Sequence, residues 1–283
     1  MIRPKTSPGL VAFSHKPILS FSPIILPDGT RPVPKHFDLA AQPHQDVLDR
    51  QKEKFDTALT FLGDGEVYAT MRVLSWRLKL ETRQAQATLA CMASEKLIVH
   101  EDFLTDGRYY GITPAGALFI YPKTVLRTFS KGKTSNSNLL HHSLTQFVRV
   151  QLELFYGIKG WESEKFLINR HQFPNVPDGV FVTDTLAIAS EIELTPKTID
   201  DQKKVLKVYC EILSEKPDAG TLVNRVIYFT PHVNLMVERI NSAVPDEYKH
   251  LFFVQFLAPV VVPYKRGSYL VNNDLANFIG NTL

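Results

Sequence analysis

The sequence predicts a mixed α/β protein of two domains. Three observations carry that expectation. Helix-like segments closed by a pair of strands fill about residues 46–129, a small polar linker lies at 130–138, and an α-β-β-β-α-β succession follows it. At 283 residues the chain is long enough for two medium cores. Its 44% hydrophobic and 22% charged content is that of an ordinary soluble chain. A net charge of +3 and a pI near 8.7 allow an anionic partner without demanding one.

Residues 1–45 are proline-rich and lack steady periodicity, which predicts an extended arm. The start, MIRPKTSPGL, holds no apolar run of the signal-peptide type. The most apolar stretch, LFFVQFLAPVVVPY, is broken by Gln255, Pro259 and Pro263 and reads as buried strand rather than a membrane span. Cys91 and Cys210 form no zinc or disulfide pattern and are read as small core residues, so a cytoplasmic, reducing location is expected.

From Asp46 the chain reads as helix, with Val47, Leu48, Phe55, Leu59 and Leu62 near one face. EVYATMRVLSWRL supplies a second helix and ETRQAQATLACM a third, with Thr82 as its cap. LIVHEDFLTDGRYYGI predicts two strands joined at the Asp-Gly pair. This order resembles a winged helix-turn-helix over 46–129, and GRYYGITPAGA resembles the wing. In the second domain, 139–283, a helix is expected over NLLHHSLTQFVRVQLELFYG and strands over EKFLINR, DGVFV and LAIASEIEL. A helix over TIDDQKKVLKVYCEILSEK, a strand over TLVNRVIYFT, a helix near VNLMVERI and a final strand complete it.

If DGVFV and LAIASEIEL turn at Asp184-Thr185, Asp178 lands opposite Glu191, with side chains about 5 Å apart. Glu191 and Glu193 share a face because strand side chains alternate. Crowded carboxylates repel and raise one another's pKa, and a hard cation, Mg²⁺ or Mn²⁺, would relieve that repulsion through oxygen ligands. Lys197 stands four residues beyond Glu193, from where its long side chain reaches back to neutralise a phosphate oxygen or orient a water. The alternative is a solvated strand edge carrying Lys-Glu pairs.

The α-β-β-β-α-β order, with Pro177-Asp178 opening the second strand and Glu191-Ile192-Glu193 on the third, resembles the PD-(D/E)xK restriction-endonuclease-like fold. Glu193 stands where that pattern expects lysine, and Lys197 comes later. The arrangement D…E-x-E-x-x-x-K, with HHSLTQ (141–146) and WESE (161–164) ahead of it, is similar to the MOBC class of plasmid relaxases and to the broader replication-relaxation family. The resemblance covers roughly residues 50–230. It implies that Asp178 and Glu191 hold the metal, that Glu193 is a further ligand or positions the water, and that Lys197 faces the scissile phosphate or the nucleophile. It further implies a nickase acting on double-stranded plasmid DNA at a transfer origin, in company with relaxosome accessory and coupling proteins.

DNA contact is expected from Arg83, Gln84 and Gln86 on the third helix, since arginine reads guanine and glutamine reads adenine in the major groove. Arg108 in the wing would meet phosphate or the minor groove. Lys203, Lys204 and Lys207 form a basic stripe that is either a backbone contact or solubility charge. His141 and His142 read as structural histidines, with a place beside the metal as the alternative. Glu164 reads as a strand-edge charge or an accessory acid. Tyr156 and Tyr209 are assigned to packing. Two competing readings remain: a restriction or repair endonuclease of the same fold, and a winged-helix regulator or replication accessory whose nuclease domain is inactive.

Overall fold

The computed structural model describes residues 44–103, 107–123, 126–132, 138–170, 175–183, 186–214, 223–267 and 272–280. Of these, 44–154 and 260–267 form one compact unit, while 155–259 and 272–280 form the other. The arm 1–43 and the expected turn at Asp184-Thr185 lie outside the described residues. Among those described, no helix is long and apolar enough to cross a membrane.

The first unit begins with α1 (His44–Phe61), a wide turn (Leu62–Glu66), β1 (Tyr68–Thr70) and α2 (Met71–Arg77). It continues with α3 (Thr82–Ser94), β2 (Ile98–Phe103), β3 (Gly107–Ile112), α4 (Pro114–Ile120) and α5 (Leu139–Phe155). Its sheet is antiparallel in the order β1-β3-β2. Two threonines start helices where strands stop. Thr70 Oγ1 accepts from the Val73 amide at 3.2 Å, and Thr113 Oγ1 from the Gly116 amide at 3.0 Å. Phe55, Leu59, Leu62, Trp76, Leu89 and Tyr109 fill the core.

A chain of buried and half-buried charges ties α5 into this unit. Arg149 donates to Glu66 at 2.8 Å and to Glu153 at 2.8 Å, Arg77 pairs with Glu153, and the guanidinium of Arg149 lies 4.9 Å from the Phe61 ring centre. Burial opposes the charge on Glu66, but the attraction of Arg149 outweighs it and holds the carboxyl below its usual range. Gln146 bridges Glu66 and the Tyr68 carbonyl, and His142 stands 2.9 Å from the same Gln146 nitrogen. The first helix of the expected second domain therefore groups with the first unit. The segment read as a linker, 130–138, precedes it in that unit, with 133–137 outside the described residues.

The second unit holds β4 (Gly160–Ser163), α6 (Glu164–Arg170), β5 (Gly179–Val182), β6 (Ala187–Ile192), α7 (Ile199–Ser214) and β7 (Arg225–Thr230). It closes with α8 (Val233–Ala243), α9 (Asp246–Lys249), β8 (Phe252–Phe256) and α10 (Asn273–Phe278). The sheet order is β4-β5-β6-β7-β8. The first three strands pair antiparallel, then β6, β7 and β8 run parallel. One face, which includes Val180, Ala189, Val226, Tyr228, Phe252 and Val254, packs under Leu206 and Tyr209 of α7 and Met236 and Ile240 of α8.

Several elements differ from the sequence reading. EKFLINR is helix α6, not a strand, and the first strand is the GWES run before it. Leu167 is buried while Phe166 and Ile168 are exposed, so the apolar triplet serves one helical contact rather than a strand core. EVYATMRVLSWRL divides into β1 and α2. Thr82 is the first residue of α3, whose cap position is Glu81, without a side-chain cap bond. Val47 and Leu48 are exposed at the start of α1. Cys91 and Cys210 are half-buried free thiols. Burial, then the charge of Glu95, raises the pKa of Cys91.

Gly179 shows why a residue without a side chain follows Asp178. A Cβ there would meet the Trp161 ring at 2.2 Å. Gly179→Ala must displace that indole from the β4–β5 ladder, and the expected loss is about 1–3 kcal/mol of unfolding free energy, measurable by chemical denaturation.

Candidate functional site

The β5–β6 register pairs Gly179 with Ser190 and Val180 with Ala189, which carries Asp178 opposite Glu191. Glu191 pairs in turn with Tyr228 on β7. The ladder runs on past β6, because the Glu193 amide donates to the Phe229 carbonyl at 3.0 Å. Asp178, Glu191 and Glu193 therefore continue the face that α7 and α8 cover, at the end where β6 stops. That placement explains how two glutamates come to be buried, at 7% and 5% exposure.

Each acid has distinct partners. Asp178 Oδ2 accepts from the Ile192 amide at 2.7 Å, and its carbonyl accepts from the Glu164 amide at 3.2 Å. Glu191 Oε1 accepts from Asn175 Nδ2 at 3.2 Å and from the Tyr209 hydroxyl. Glu193 Oε1 accepts from the Lys197 amide at 3.1 Å and Oε2 from Lys197 Nζ at 2.7 Å.

Burial, and then the neighbouring charge of Asp178, push the Glu191 carboxyl up to about 8. The pKa of Lys197 is raised as well, which here favours the charged form. Burial opposes its ammonium, but the Glu193 bond and the charges of Glu191, Glu193 and Asp178 outweigh that and raise its pKa. Tyr209 is driven well above the usual phenol range by burial and by Glu191, so its hydroxyl stays protonated and acts as a donor. Tyr228, fully buried beside Glu191 in register, is raised in the same way by burial first and by Glu191 next.

Could this set hold a metal? Among the described residues no group of three or more His, Cys, Asp and Glu side chains stands in a metal-holding arrangement. The donor chemistry nevertheless suits a hard cation. The Glu191 carboxylate is buried and that of Asp178 is half-buried opposite it, and Mg²⁺ is commonly held by one or two carboxylates together with waters and substrate phosphates.

Sequence reasoning missed Tyr209 and Asn175. Tyr209 was assigned to packing, yet it is the hydroxyl donor to Glu191. The available signal was the buried stripe Gln202, Leu206 and Tyr209 on α7, where two polar groups interrupt an apolar face. Tyr156 fits a structural role, accepting from the Asn272 amide at 3.0 Å. Glu164 is exposed at the start of α6.

The residues expected to meet DNA are placed as follows. Arg83, Gln84 and Gln86 lie on the solvent face of α3. Arg108 forms a cross-strand ion pair with Asp102 at 2.7 Å. Lys203, Lys204 and Lys207 are exposed on α7, with Asp201 beside Lys204 and Glu211 beside Lys207. His142 lies against Tyr68 with the rings tilted and their centres 4.7 Å apart, and it joins the polar cluster around Gln146 in the first unit.

No family model matches the chain, and no curated protein does. Among solved structures, one described as "PigF with SAH" is similar at 11% sequence identity and a TM-score of 0.18, over 77% of this chain and 67% of that one. A likeness of that size carries no argument about fold or chemistry.

Proposed function

We propose that this chain is a metal-dependent DNA endonuclease with a PD-(D/E)xK core, which nicks one strand at a plasmid origin of transfer as a MOBC-class relaxase does. The observation that carries the reading is the β5–β6 register, which sets Asp178 against Glu191 at the sheet end from which Lys197 reaches back. The order β4-α6-β5-β6-α7-β7, with three antiparallel strands and then a parallel crossover, supports it, although α6 stands between the first two strands and α5 groups with the other unit. So does α1-β1-α2-α3-β2-β3 in the first unit, the order of a winged helix-turn-helix.

Asp178 and Glu191 would hold Mg²⁺ or Mn²⁺, which when bound polarises a phosphoryl oxygen and lowers the pKa of a bound water. The protein's own groups do the rest. Tyr209 and Asn175 fix Glu191 through Oε1, and the Ile192 amide fixes Asp178. Lys197 brings a positive charge that stabilises the phosphate oxygens as negative charge builds during in-line attack. In this reading a water rather than a tyrosine supplies the attacking oxygen, and Tyr209, buried and protonated, serves as a hydrogen-bond donor.

The test is incubation of a supercoiled plasmid bearing the cognate transfer origin with the full chain, with Mg²⁺ or Mn²⁺ and with chelator. Open circles cut at one mapped position, formed only with metal, are the expected product. Linear product would instead indicate a restriction or repair nuclease, and no cutting would indicate a DNA-binding regulator. In the first unit, Arg83→Ala should weaken binding to the cognate site by about 1–3 kcal/mol while leaving affinity for unrelated DNA within about threefold. Equal loss on both DNAs would mark Arg83 as a phosphate contact.

A further inference from the structure

We propose that Glu193 is a positioning residue for the Lys197 ammonium, and that the cation is ligated by Asp178 and Glu191 without it. The inference rests on the nuclease reading above. Both oxygens of Glu193 are committed to a single residue: Oε1 takes the Lys197 amide at 3.1 Å and Oε2 takes Nζ at 2.7 Å. A ligand carboxylate must turn a lone pair toward the ion, and here each oxygen of Glu193 is oriented by an N–H donor of Lys197. At 5% exposure, Glu193 has little water to compete for those bonds.

The segment between the two residues is neither strand nor helix, since β6 ends at Ile192 and α7 starts at Ile199. The salt bridge therefore does not come free with helical spacing. The carboxylate closes a turn at both ends of one lysine, with the backbone bond setting where the side chain begins and the ion pair setting where it ends. The ammonium is thus held among the charges of Glu191, Glu193 and Asp178, although it stands four residues later than a lysine alternating along the strand would. The strand offers Glu193 at the place of that lysine, and Glu193 recruits Lys197 to replace it.

Mn²⁺ binding, followed by electron paramagnetic resonance on the full chain, separates ligand from positioning residue. Glu193→Gln and Lys197→Met should each bind Mn²⁺ within about threefold of the native protein, whereas Asp178→Asn should bind at least tenfold more weakly. Each of the first two should slow nicking by about 10²-fold. The double variant should be no slower than Lys197→Met alone, because a positioning residue has nothing to hold once its lysine is gone. A tenfold or greater loss of Mn²⁺ affinity in Glu193→Gln, or losses that multiply in the double variant, would overturn the assignment. A native protein that neither binds Mn²⁺ nor nicks plasmid overturns the nuclease reading itself, an outcome distinct from either.

Discussion

Asp178→Ala is expected to abolish nicking of supercoiled plasmid, with a rate loss on the order of 10³-fold or more, and to leave DNA binding nearly unchanged. The rate estimate follows from what a preorganised charge at a phosphoryl-transfer site contributes, compounded by loss of one of the two carboxylates assigned to the ion. Binding is expected to survive because the surface proposed to read DNA belongs to the other unit, on α3. The variant should also stay folded. Asp178 is only half-buried, and the hydrogen bond it gives up, to the Ile192 amide, lies at the edge of the β5–β6 ladder. Losing it costs about 1 kcal/mol. The measurement is single-turnover nicking at saturating Mn²⁺ beside an equilibrium binding assay. Full nicking by the variant would sink the site.

Glu191→Gln should also stop nicking, yet make the metal-free protein more stable at pH 8. The carboxyl of Glu191 titrates at about 8 in the fold against an ordinary value of 4.5, so the fold favours its protonated form. The stabilisation linked to that proton is fully present below pH 4.5 and is lost as pH rises toward about 8. Above that, the native protein bears a buried charge that has lost its proton and gained no cation. Glutamine keeps the shape and an acceptor for Tyr209 and Asn175 without the charge. The gain should be of order 2–4 kcal/mol at pH 8 in chelator, seen as a rise of several degrees in the melting temperature, and should vanish near pH 4.5. Equal melting curves at both pH values would show that Glu191 is ionised at no cost.

How much of this was legible in the chain beforehand differs by element. The β5–β6 pairing was, because two short apolar runs around an expected turn at Asp184-Thr185 fix which residues face each other. The stripe on α7 was legible in part at helical period: Val205, Val208, Tyr209, Ile212 and Leu213 are expected on one face, and of these Tyr209 and Ile212 are buried, together with Gln202 and Leu206. The segment EKFLINR was not, since three adjacent apolar residues carry no period that separates a short strand from a short helix. Tyr209 was hidden for a different reason. Its partner is eighteen residues earlier, and only the crossover that lays α7 on the sheet brings the phenol to Glu191. The Glu193–Lys197 spacing was visible, but spacing alone does not say which oxygen is used up by which donor.

The charged run Glu66–Arg149–Glu153–Arg77 bears on how the protein can be taken apart. A fragment cut at the polar stretch, beginning at residue 139, would carry away Arg149 and Glu153 and abandon Glu66 and Arg77 in the remainder. The Glu66–Arg149 and Arg77–Glu153 pairs would both be broken, while Arg149 would keep Glu153 within its own fragment. A cut between Phe155 and Gly160 keeps all four charges in one piece, but the first unit also needs its 260–267 segment, whose Val262 carbonyl accepts from Trp76 Nε1 at 2.7 Å, so neither unit is one continuous stretch of chain.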